Sequence, residues 1–69
     1  MTDTEKLKAE IESSGLKISY IAKKMGLSRY GLSLKINNVN EFTSSEILKL
    51  CELLNIKSLR EKESIFFCI

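Results

Sequence analysis

The sequence predicts an all-α fold, a compact bundle of five short helices. Three observations carry this. Apolar residues recur at helical spacing along the chain. There is no proline, and glycine occurs only at Gly15, Gly26 and Gly31. Capping residues stand just ahead of the apolar stretches, where helices should start. With 69 residues, 43% of them apolar, the chain has room for one domain, 1–69, with a small core and modest stability.

The first helix is expected over about residues 3–14. Thr2 and Glu5 have capping-box spacing. Leu7 and Ile11 lie four apart on one face, and Gly15 can adopt the left-handed conformation that ends a helix. The second helix is expected over 18–25, where Ile18, Ile21, Ala22 and Met25 form one apolar stripe with Lys23 and Lys24 off it. Gly26 stops it and Leu27 anchors the turn. Ser28 is a good N-cap for the third helix, which runs to about Ile36 with Leu32 and Ile36 as its buried edge. Gly31 inside this helix costs about 1 kcal/mol against alanine, which points to close approach of another helix or a ligand backbone.

Residues 37–40, Asn-Asn-Val-Asn, form a polar turn. The fourth helix has the clearest start signal: Thr43 and Glu46 make a capping box, and Phe42 and Ile47 a hydrophobic staple. Ile47, Leu48, Leu50, Cys51, Leu53 and Leu54 make it apolar over most of its circumference, so it is expected to be the central core helix, capped by Asn55. Ser58 and Glu61 mark a short fifth helix. Residues 65–69, Ile-Phe-Phe-Cys-Ile, cannot all point inward. Ile65 and one phenylalanine are expected on the core, and the rest in an exposed apolar patch of the kind that marks a partner surface.

The net charge of +2 decides little, but its distribution is uneven. Lys17, Lys23, Lys24, Arg29 and Lys35 fall between residues 17 and 40 with no acidic residue among them, while both flanks are mildly acidic. A basic block is what phosphate binding needs, though the same charges also suit a solvated face. An enzyme is not expected: histidine is absent, and there is neither a glycine-rich phosphate loop nor a convincing carboxylate pair. Cys51 and Cys68 are too far apart in a chain without histidine to suggest a metal site, and no cofactor or small-molecule substrate is expected. Cys51 reads as a small buried hydrophobe. The polar start MTDTEKLKAEIE does not look like a signal peptide, and no apolar run is long enough for a membrane span, so a cytoplasmic location with reduced thiols is expected.

The informative stretch is KISYIAKKMGLSRYGLSLKIN, residues 17–37. It reads as two short helices around a tight glycine turn, with Ala22 small where they cross. The second helix presents Ser28, Arg29 and Tyr30 outward on its first turn, a shape that fits the major groove of B-DNA. Ile21-Ala22, Met25-Gly26-Leu27-Ser28 and Leu32 resemble the helix-turn-helix of the lambda-type phage repressors and Cro proteins. The resemblance covers the whole chain, from the helix ending near Gly15-Leu16 to Leu53-Leu54-Asn55-Ile56. Residues Ser33 to Asn38 with Glu41-Phe42-Thr43 look like a subgroup from phages of low-GC bacteria. The chain departs from the family pattern at Ile18, where many members have a phosphate-touching glutamine, a contact Lys17 would have to supply. It departs again at Lys35, where many have an apolar residue.

The resemblance implies a lambda repressor-like DNA-binding domain acting as a sequence-specific, Cro-like transcriptional regulator. Arg29 is placed to read a guanine edge with two hydrogen bonds, or to bond a phosphate. Tyr30 can stack on a base or bond the backbone, or pack half-buried on the first helix. Ser33 can bond base edges, and Leu34 can meet a thymine methyl or serve the core. Lys17, Lys23, Lys24, Ser28, Lys35 and Asn37 are the expected phosphate contacts; for Asn37 and Asn38 simple turn chemistry is the other reading. The partner is then double-stranded operator DNA of two-fold symmetry, bound by a homodimer joined through residues 65–69. The other reading is a protein-interaction module, such as an antitoxin or anti-repressor.

Overall fold

The computed structural model describes residues 1–67, and among them the chain forms α1 (Thr4–Ser14), α2 (Ile18–Met25), α3 (Arg29–Ile36), α4 (Ser44–Leu54) and α5 (Leu59–Phe66), with no strand. Leu7, Ile21, Leu32 and Leu50, one from each of the first four helices, are fully buried and mark the centre. Ile11, Ala22, Ile36, Cys51, Leu54, Ile56, Ile65 and Phe66 complete the core around them. Removing each such aliphatic side chain from water is worth roughly 1.5–3 kcal/mol, which is how five short helices that would not persist alone hold together. α2 packs on α3 and α4, while α1 reaches α3, α4 and α5.

Side-chain caps set the starts of α1, α3, α4 and α5. Ser28, Thr43 and Ser58 accept the amides of Gly31, Glu46 and Glu61, and Thr43 with Glu46 closes the reciprocal capping box. Asn55 ends α4 in the left-handed conformation, φ 58°. At the first helix the cap is Asp3, whose carboxylate accepts the Lys6 amide at 3.1 Å, and not Thr2 as its spacing with Glu5 suggests. Thr2 is buried and committed elsewhere: its backbone is held by the Asn38 side chain. The N-terminal segment thus ties two distant ends together. The Asp3 amide donates to the Ile65 carbonyl at 2.6 Å, and Thr4 Oγ1 donates to the Ile36 carbonyl at 2.7 Å.

α4 is less enclosed than its composition suggests. Leu50, Cys51 and Leu54 are buried and Ile47 and Leu53 half-buried, but Leu48 faces water because no helix covers that side. Burial also pushes the Cys51 thiol above its ordinary pKa, against a smaller pull from Lys62. Of the apolar run after Ser64, Ile65 and Phe66 turn into the core. The Phe66 ring meets Phe42 edge-on, centroids 5.7 Å apart at 88°. Phe67 is 59% exposed. Cys68 and Ile69, the remainder of the expected patch, lie outside the described residues. No helix among the described residues is long and apolar enough to cross a membrane.

Candidate nucleic-acid interface

α2 and α3 are joined by Gly26, Leu27 and Ser28 alone. Gly26 makes the sharp exit from α2 possible with φ 72°, a conformation that side chains other than glycine adopt at a cost. Its amide and that of Leu27 return to the Lys23 and Ala22 carbonyls at 3.2 and 2.9 Å. Leu27 packs on the core and Ser28 starts α3. Ala22 is buried, and Leu32 and Ile36 fix which side of α3 faces inward. Within the chain, what approaches Gly31 is not another helix but the cap: a Cβ there would stand 3.1 Å from Ser28 Oγ.

Exposure along α3 is uneven. Arg29 and Tyr30 stand free on its first turn, Tyr30 74% exposed, so the half-buried packing on the first helix does not occur. Ser33, one turn on from Arg29, is exposed, and Leu34 is half-buried. Lys17, Lys23 and Lys24 are exposed on α2 and at its start. The N-terminus of α2 carries no side-chain cap, so its first-turn N–H groups remain open to an anion. Ile18 packs on the core beside a cleft of about 370 Å³ whose floor includes Ile11 and Ile36.

Some residues expected at this surface are held by other groups. Asn37 donates from Nδ2 to the Ser33 carbonyl at 2.9 Å, closing the last turn of α3. Asn38 spends its amide on Thr2. Ser28 Oγ accepts the Gly31 amide at 2.9 Å, which leaves its hydroxyl proton free to donate. Lys35 is the largest departure: its Nζ lies 2.6 Å from Glu46 Oε1, and the two side chains are only 15% and 17% exposed. Burial pushes the Glu46 carboxyl upward, but hydrogen bonds from Lys35 and Thr43 and the lysine charge outweigh it and hold the group below its ordinary value. Two contributions escaped the sequence reading. Tyr20 is exposed beside the lysines, with Lys24 Nζ 5.6 Å from its ring centroid, a cation–π pair that the four-residue spacing could have signalled. Glu46 was visible only as a cap, because nothing local shows which lysine crosses from another helix.

Lys17, Lys23, Lys24 and Arg29 are thus exposed, with hydrogen-bonding groups at Tyr30 and Ser33, on or beside two helices anchored by the core. Among the described residues no cluster of side chains could hold a metal ion. Compared with protein-family models, curated proteins and solved structures, the chain finds no match.

Proposed function

We propose that this chain is a sequence-specific DNA-binding regulator of transcription, with α2 and α3 working as a helix-turn-helix and α3 entering the major groove. The observation that carries the reading is the free first turn of α3. Arg29 and Tyr30 are exposed at the start of a short helix that Leu32 and Ile36 anchor in the core. An arginine so placed can donate twice to guanine O6 and N7. Tyr30, Ser33 and Leu34 are the other base-reading candidates. Lys17, Lys23, Lys24, the Ser28 hydroxyl, Asn37 and the open N-terminus of α2 supply phosphate contacts that set register. Between residues 17 and 40 there is no acid to oppose them.

A single α3 reads too few base pairs to select a site, so two copies act on a two-fold symmetric operator, as a Cro-like or repressor-type phage protein would. Half-sites on such operators lie about 34 Å apart. The Cα trace measures 27 × 24 × 21 Å, so with side chains included two copies at that spacing would meet only with their long axes along the operator. Exposed Phe67 is the described part of the proposed contact. The protein works in the cytoplasm, without catalysis or cofactor.

Selection of bound duplexes from a random pool tests the reading. A shared sequence with two-fold symmetry is expected. Recovery of no shared sequence would favour the protein-interaction module instead.

A further inference from the structure

We propose that Glu46 removes Lys35 from the DNA-facing charge and uses it as a strut that sets the pose of α3. The inference rests on the DNA-binding reading for its consequence, and on packing for its cause. Glu46 Oε1 accepts two donors from different parts of the chain: Lys35 Nζ at 2.6 Å and the Thr43 amide at 2.9 Å. Thr43 Oγ1 in turn accepts the Glu46 amide at 3.2 Å. The last turn of α3 is thereby fastened to the first turn of α4 through one carboxylate oxygen.

Two considerations separate this pair from an ordinary surface ion pair. It is largely covered, at 15% and 17% exposure, so swinging Lys35 out to a phosphate would leave a half-desolvated carboxylate with no counter-charge. The pair also belongs to a set of ties that converge on one end of α3. Thr4 Oγ1 holds the Ile36 carbonyl and Asn38 holds Thr2, while Ser28 and Leu27 fix the other end. Arg29 and Tyr30 project from a helix held at both ends, which is what placing a base-reading side chain requires. Lys35 is therefore a positioning residue, and the phosphate contacts are left to the exposed lysines of α2.

Lys35→Met and Glu46→Gln test this in the full chain. Methionine keeps the apolar stem, and glutamine still closes the capping box. Binding to a duplex taken from the selection is measured across a range of salt. Lys35→Met should weaken binding by a similar factor at every salt concentration and leave the salt slope as in the native protein. Glu46→Gln frees Lys35 and should steepen the slope by about one. Thermal midpoints without DNA close the cycle: the double variant should melt no lower than the worse single one. A slope that falls by about one in Lys35→Met, a slope unchanged in Glu46→Gln, or additive midpoints would each overturn the proposal. A native protein that binds no duplex would remove the DNA-binding reading instead. The strut would then stand or fall on the midpoints, non-additive in its favour and additive against it.

Discussion

Asn38 grips the backbone of Thr2 from both sides: its Oδ1 accepts the Thr2 amide at 2.9 Å and its Nδ2 donates to the Thr2 carbonyl at 2.7 Å. Asn38 itself sits in the left-handed region at φ 64°, where asparagine is tolerated and most residues are not. Thr2 is buried, so losing the grip leaves backbone groups poorly satisfied. Asn38→Gly keeps the backbone and should lose about 1–3 kcal/mol of stability in urea unfolding. Asn38→Ala should lose about 1 kcal/mol more, from left-handed strain. Equal losses would mean the backbone conformation contributes nothing there.

Gly26 makes a cleaner backbone test. A Cβ built on it meets nothing within 4 Å, so any cost of a side chain is conformational and not steric. Gly26→Val should destabilise the fold by about 1–2 kcal/mol, read as a lowered thermal midpoint. An unchanged midpoint would place the turn's strain elsewhere.

Helix order and most caps were legible in the sequence because their signals are local. Thr43 with Glu46 and Ser58 with Glu61 needed only a residue three positions on, Ser28 only its own residue type, and Ile18 to Met25 announced its buried stripe by period. What was not legible depends on residues far apart in the chain. Thr2 looked like a cap until Asn38, 36 positions away, claimed its backbone. Lys35 looked like one more basic residue until Glu46, 11 positions on, bonded it. Leu48 looked like core because composition cannot say which side of α4 lacks a neighbour. The free surface of α3 was only partly legible: Arg29, Leu32, Ser33 and Ile36 share one stripe at i, i+3, i+4 and i+7, yet Arg29 and Ser33 are exposed while Leu32 and Ile36 are buried, which period alone does not decide.

The two phenylalanines of α5 and its end should separate core from surface. Phe66 is 3% exposed and meets Phe42 edge-on, so Phe66→Ala should cost about 3–5 kcal/mol and unfold much of the population. Phe67→Ser should leave the melting midpoint nearly unchanged and weaken self-association in analytical ultracentrifugation under reducing conditions. A Phe67→Ser protein that associates as before would take this residue out of the dimer contact.

Acid should weaken the α3–α4 tie. The folded Glu46 carboxyl is held below its ordinary value of 4.5. A carboxyl depressed by folding adds stability that is complete above that value and fades as pH falls through the lower folded one. Native protein and Glu46→Gln should therefore differ most near neutral pH, and the gap should close as pH drops below 4.5. A gap that is constant with pH would mean the carboxylate charge is irrelevant.

The most direct measurement of the central claim is titration of Arg29→Ala and Lys24→Ala on the selected duplex and on a scrambled one, at several salt concentrations. Arg29→Ala should lose about 1–3 kcal/mol on the selected duplex, little on the scrambled one, and accept substitution at one base pair. Lys24→Ala should weaken both duplexes alike and lower the salt slope by about one. If Arg29→Ala loses the same affinity on both duplexes, α3 does not read sequence through its first turn and the account is contradicted.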